Sequence, residues 1–214
     1  MIRILSRCHM VKKPTKDFGY IAFGKDGTVR KEMRRLPDNK ADQELRIAGE
    51  FASMLATDNL GRYEVVPLPE NDHDFVLRCI ETSDAIVVQL TEVVSRDYLV
   101  PLTENQYRNG DPNFDEYVLE GEIYGVDRQR KDLVLVEKIK AKIAKCYQKT
   151  DGSLWLVIWS LNADFEFVFF SSGKQQRSPA IIAAEKYIED FGIGPFDSVW
   201  FFNPLFRPYQ LLSK

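Results

Sequence analysis

Apolar residues recur at helical spacing in three stretches, and strand-length apolar runs lie between them. Ile47, Ala48, Phe51 and Leu55 stand three or four positions apart, which predicts an amphipathic helix over about 41–57. Asp58, Asn59 and Gly61 close it. "YEVVPLP" reads as a short strand ended by prolines. Residues 74–94, "DFVLRCIETSDAIVVQLTEVV", read as two strands joined by a turn at 81–84. A second helix is predicted over about 131–149, with Leu135, Ile139, Ile143 and Cys146 as its apolar stripe. "SLWLVIWS" is continuously apolar, the signature of a central strand. "SPAIIAAEKYIEDF" predicts a third helix, with Ser178 as N-cap and Pro179 at its first position. "FDSVWFFNP" is expected to be the last strand.

Helices alternating with strands define an α/β chain. The expected architecture is one domain over 38–214 with a central mixed β-sheet flanked by helices. Residues 1–37 form an N-terminal extension whose pattern allows a hairpin turning at 24–27. Residues 95–130 are polar and broken by Pro101, Gly110, Pro112 and Gly121, so they read as an insertion or long loop.

Composition narrows the classes. The chain has 214 residues, 44% hydrophobic and 12% aromatic, enough for a packed core. Lys and Arg total 29 against 32 Asp and Glu, a net charge of -3, which argues against a non-specific nucleic-acid coat while leaving room for a local basic face. The three cysteines, Cys8, Cys79 and Cys146, form no CxxC pair, so neither a disulfide scaffold nor a zinc ribbon is expected and a reducing compartment fits. No apolar run approaches the roughly eighteen residues of a membrane span, and the first residues lack a signal-peptide apolar region. A soluble, cytoplasmic protein without membrane contact is the expectation. His9 and His73 make no metal site with the scattered cysteines. "GKDG" and "FGIGPF" lack the Lys-Ser/Thr of a P-loop.

Candidate chemistry lies in the predicted hairpin and the helices beside it. Side chains alternate faces along a strand, so Gln89 and Thr91 point the same way and Glu92 the other. A hairpin brings the start of its first strand beside the end of its second, which places Asp74 near Gln89 and Thr91. Glu44 falls in the middle of the first helix's apolar stripe, where an acid needs a reason. Each residue also has a plain reading. Asp74 suits a strand start or turn, Gln89 and Thr91 suit the wet face of an edge strand, Glu44 suits a helix N-terminus, and Lys138, Lys140, Lys142 and Lys145 suit a solvated helix face. Trp155, Trp159 and Trp200 read as core.

The order of these residues resembles the PD-(D/E)xK nuclease superfamily, the restriction-endonuclease-like fold with its α-β-β-β-α-β core, over roughly residues 41–204. That family carries an acid at the start of one strand and an acid-x-lysine triplet on the next. Here Asp74 matches the first acid, Gln89 stands where the second acid stands, and Thr91 stands where the lysine stands. Some branches use a Gln-x-Lys triplet, and others move the lysine to the following helix. Lys142, at the edge of the second helix's stripe, is the candidate for that role. The resemblance implies a metal-dependent nuclease hydrolysing DNA phosphodiester bonds. Mg2+ or Mn2+ would be held by Asp74, Gln89 and Glu44, and Lys142 would orient water or neutralise charge. Arg128, Arg130, Lys131 and Lys138 are weaker candidates for contacts to nucleic acid. Many such nucleases dimerise to cut two strands, which admits a homodimer. The alternatives are a decayed nuclease fold that binds nucleic acid or protein, and a member of a larger assembly with a protein partner at 95–130.

Overall fold

Leu154, Leu156 and Ile158 of strand β9 (Ser153–Trp159) pack into one buried cluster, and Val157 and Trp159 into another. A strand buried on both faces must lie inside a sheet that is covered on both sides. In the computed structural model, β9 runs parallel to β5 (Ala85–Glu92) on one side and to β12 (Ser198–Phe202) on the other. Three antiparallel strands complete the sheet: β4 (Phe75–Cys79) beside β5, β3 (Tyr63–Pro67) beside β4, and β13 (Tyr209–Ser213) beside β12. The six-stranded order is β13-β12-β9-β5-β4-β3. The residues described are 17–23, 29–68, 73–94, 97, 99–110, 114–119, 122–147, 152–161, 169–171, 174–176, 178–204 and 208–213.

Helix α1 (Lys40–Thr57) covers one face. Its buried stripe of Ile47, Ala48, Phe51, Ala52 and Leu55 packs on Phe75, Leu77, Val88, Leu90 and Trp159. Phe51 meets Trp200 and Phe202 edge-on, at ring centroids 5.8 and 5.4 Å apart. Deleting a buried ring of that kind costs about 3–5 kcal/mol. Asn39 caps the helix by accepting from Asp42 N at 2.8 Å. Helices α3 (Arg128–Ile143) and α4 (Pro179–Phe191) cover the other face through Leu135, Ile139, Ile181, Ala184 and Ile188. Each is the crossover between two parallel strands, as parallel pairing requires.

The chain is therefore a mixed α/β domain with an open sheet between helical layers. Among the described residues no helix is long and apolar enough to cross a membrane. The third helix begins as expected: Ser178 accepts from Ile181 N at 3.3 Å, with Pro179 first. Trp159 and Trp200 are buried, and the half-buried Trp155 stacks on Trp200 at 5.3 Å.

Four expectations are corrected. The helix expected over 131–149 starts earlier, at Arg128, because Asp127 accepts from Arg130 N at 3.1 Å and caps it. It also stops at Ile143, where Ala144 N donates to the Lys140 carbonyl and Lys145 N to the Lys142 carbonyl, so Cys146 is exposed rather than part of the stripe. "FDSVWFFNP" is not the last strand: β13 follows, its apolar run broken by Gln210. Of the two readings, insertion or long loop, the long loop is set aside for residues 95–130. They hold β6 (Leu99–Pro101), β7 (Phe114–Leu119) and β8 (Glu122–Asp127), a three-stranded sheet ordered β6-β8-β7, and a short helix α2 (Glu104–Asn109) opened by a Thr103–Gln106 capping box. In the N-terminal extension, β1 (Asp17–Phe23) pairs antiparallel with β2 (Val29–Arg35), while the expected turn at 24–27 lies outside the described residues. A second small pair joins β10 (Phe169–Ser171) to β11 (Lys174–Gln176).

One close approach aligns the parallel core. A Cβ on Gly152 would stand 2.5 Å from the Ala85 carbonyl oxygen, so only glycine lets β9 enter beside the start of β5.

Candidate functional site

Phe75 pairs with Val88, so the next step outward sets Asp74 directly against Gln89. Alternation puts both side chains on the face covered by α3. In a regular strand, one residue's N–H and C=O point to the same neighbour. At Asp74 they diverge: its N–H donates to the Val88 carbonyl of β5 at 3.1 Å, while its carbonyl accepts from Leu68 N beyond β3 at 3.1 Å. The ladder opens there, and the carboxylate takes over as acceptor. Asp74 Oδ2 accepts from the Leu90 backbone N–H at 2.6 Å and from the Gln89 side-chain amide. The Gln89 nitrogen also donates to the Leu90 carbonyl at 3.2 Å.

These residues form one wall of a cleft of about 270 Å³ at the carboxyl ends of β5 and β9. Leu90, Thr91, Glu92 and Trp159 continue the wall, α1 contributes Lys40, Gln43 and Glu44, and α3 contributes Lys142. Crevices at the carboxyl ends of parallel strands are the usual ligand sites of open α/β sheets. Lys40 pairs with Glu44 at 3.3 Å. Gln43, 3% exposed, donates to the Pro37 carbonyl at 2.6 Å and ties the preceding loop to the helix. Lys142 is half-buried and makes no ion pair among the described residues. Burial pushes its amine below the usual lysine range, against the opposing pull of the Asp74 charge; the nearby Lys145 and Lys40 push it down further and Glu44 raises it.

Asp74, Gln89, Glu44 and Lys142, the four residues expected to form a site, thus line the same cleft. The edge-strand reading of Gln89 is overturned: β5 lies between β4 and β9, and Gln89 is 6% exposed. Alternation turns Glu92 away from the site, yet it lines the cleft. It is the last residue of β5, where the period-two rule stops constraining direction.

Lys138 and Arg130 make their contacts away from the cleft. Lys138 Nζ lies 3.1 Å from Asp97 Oδ2, and Arg130 Nε donates to the Asp97 carbonyl at 2.9 Å. Both side chains are occupied in pinning the segment after β5 to α3, which removes them as ready phosphate contacts. Lys131 is half-buried at the start of α3, and Arg128 is the first residue of that helix. His73 turns away from the cleft and stacks on Tyr147 at 5.8 Å, its ring nitrogens buried without a hydrogen-bond partner among the described residues.

No family model, characterised protein or solved structure matches the chain.

Among the described residues, no group of three His, Cys, Asp or Glu side chains is placed to hold a metal ion. Side-chain amide oxygens widen the donor set. Asp74 and Gln89 both line the cleft, and neither Asp74 Oδ1 nor Gln89 Oε1 makes a hydrogen bond among the described residues. Two hard oxygens, with Glu44 across the cleft and room for water, fit a magnesium- or manganese-like cation, which keeps several waters when bound by few protein ligands.

Proposed function

We propose that the cleft is the active site of a metal-dependent nuclease of the PD-(D/E)xK type that hydrolyses DNA phosphodiester bonds. The observation that carries this reading is that one cleft is lined by Asp74 and Gln89, each with a side-chain oxygen that makes no hydrogen bond among the described residues, and by the half-buried Lys142, which makes no ion pair among them. With β6, α2, β7 and β8 set aside as an insertion between β5 and α3, the order α1-β3-β4-β5-α3-β9 supports it, since it follows the α-β-β-β-α-β order expected of that fold. A bound Mg2+ or Mn2+ would supply Lewis-acid stabilisation of the phosphoryl oxygens and an acidified water. Asp74 and Gln89 would hold it, with Glu44 acting directly or through water. Lys142, with its amine pushed down by burial, is suited to taking a proton from the attacking water or to facing charge that develops on the phosphate. A cytoplasmic setting, a homodimer that cuts two strands, and a protein partner on the β6-β8-β7 sheet belong to the same proposal.

The test is incubation of plasmid, linear duplex and single-stranded DNA with the protein and Mg2+ or Mn2+, beside Asp74→Ala. Cleavage by the wild type and none by the variant is expected. Two carboxylates bind a divalent cation less tightly than three, so millimolar metal is expected to be needed, with manganese preferred. A folded, metal-loaded wild type that leaves every substrate uncut would defeat the reading.

One observation favours a second reading. Gln89 replaces an acid, and Lys40 already neutralises Glu44, so much of the cleft's negative charge is balanced from within. A decayed site that binds nucleic acid or protein without cutting fits this balance. In the same assay it gives retention of DNA on a gel with no cleavage.

A further inference from the structure

Gln89 is the most buried polar group on the cleft wall opposite α1, and its amide is fully committed on one side. Both hydrogens of its nitrogen have acceptors, the Asp74 carboxylate and the Leu90 carbonyl. An amide so placed has a single orientation, because turning it over would set its oxygen against a carboxylate and a carbonyl. Its Oε1 must therefore face away from Asp74 Oδ2. The same carboxylate oxygen also holds the Leu90 N–H at 2.6 Å. Two donors converge on Oδ2, and Oδ1 is left over.

We infer that Gln89 is a positioning residue for Asp74: its amide fixes Oδ2 so that Oδ1 is presented to the cleft before any cation arrives. An acid at this position cannot do that. An ionised glutamate side chain there would set two carboxylates across the same strand pair with no donor between them, and only a cation or a shared proton would reconcile them. The glutamine therefore makes the cation-free site self-consistent, and it trades one ligand charge for a preset geometry. The inference rests on reading Asp74 as the principal acid of the cleft, but it concerns the metal-free protein.

The experiment compares wild type with two isosteric variants, Gln89→Met, which has no donor, and Gln89→Glu, which has only acceptors. The reporter is the Leu90 backbone amide, whose proton shift and hydrogen exchange are read by NMR in protein stripped of metal, relative to Val88. Exchange at Leu90 is expected to rise about tenfold in both variants, the effect of losing one net hydrogen bond that steadied its acceptor. Adding manganese is expected to restore slow exchange in Gln89→Glu and to leave Gln89→Met loose. Equal Leu90 shift and exchange in wild type and Gln89→Met would overturn the positioning role. If the Met variant fails to fold, equal values in metal-free Gln89→Glu overturn it. Manganese binding by wild type, followed by its paramagnetic resonance, separates the two proposals. A loosened Leu90 in the Met variant with no manganese bound by wild type keeps the positioning role and removes the metal reading. An unchanged Leu90 with manganese bound does the reverse.

Discussion

The β4–β5 hairpin handles charge differently at its two ends. At the turn, Glu81 accepts from Arg62 Nε at 2.6 Å and from the Cys79 thiol at 3.3 Å, and the Thr82 hydroxyl donates to Asp84 at 2.6 Å. The Arg62 hydrogen bond, helped by that of Cys79, holds the Glu81 carboxyl down at about 2. Every charge there has a counter-charge or donor beside it, and the cluster is exposed. At the open end, among the described residues, one Asp74 oxygen and the Gln89 carbonyl oxygen make no hydrogen bond, and the half-buried Lys142 makes no ion pair. A charge network that closes on itself contributes to folding. A half-buried set in which a carboxylate and an ammonium share a cleft without a direct ion pair costs stability in isolation, and that cost is typical of sites completed from outside.

The largest expected effect follows from removing the anchor of the open end. Asp74→Ala leaves the Leu90 N–H and the Gln89 amide without their acceptor, which should cost about 1–3 kcal/mol by denaturant unfolding and abolish DNA hydrolysis. Full activity in the variant would place the chemistry elsewhere.

Lys142→Met comes next and should move activity and stability in opposite directions. Hydrolysis should fall about 10²–10³-fold, as when one electrostatic partner of a transition state is lost. The melting temperature should stay level or rise, because an unpaired half-buried ammonium is removed. The pH dependence gives the sign. The folded-state value of Lys142 lies below its ordinary 10.5, so between the two the unfolded chain binds more protons and stability rises with pH. The Met variant should lack that alkaline gain. A clear drop in its melting temperature would mean that Lys142 supports the fold.

Glu44→Gln sharpens the contrast on the α1 side. If Glu44 serves the cleft, manganese affinity measured by titration should weaken in the variant with the fold intact. If it only complements the helix N-terminus, the change should cost about 0.3–1 kcal/mol and leave metal affinity alone.

The smallest effect belongs to the turn. Its carboxyl is held low, so Glu81 favours the folded state above about pH 4.5 and loses that contribution as pH falls towards about 2. Glu81→Gln should therefore narrow the acid-unfolding difference from wild type within that window, and should change neither metal binding nor hydrolysis. An effect on the cleft would show that the two ends are coupled.

Much of this contrast is legible in the sequence. Ile47, Phe51 and Leu55 locate α1 within a residue of its start, and alternation alone places Asp74 and Gln89 together. What is not legible depends on tertiary neighbours. Nothing in "AIVVQLTE" tells whether β5 is an edge or an inner strand; β9 decides that by pairing with it from Ile86 to Glu92. The direction of Glu92 escapes because it ends its strand. The binding of Lys138 by Asp97 joins residues that local periodicity cannot relate. The small sheet over 99–127 escapes because its short strands are interleaved with polar residues and glycine, so no window shows a sustained period.

The most direct measurement is anomalous diffraction from a crystal of the protein soaked in manganese. One peak is expected in the cleft, with Asp74 Oδ1 and Gln89 Oε1 at roughly 2.0–2.6 Å from it, water completing its shell and Lys142 facing the same water. A cleft without a peak at millimolar manganese, or a peak that leaves Asp74 and Gln89 bonded only to each other, would contradict the metal-dependent site.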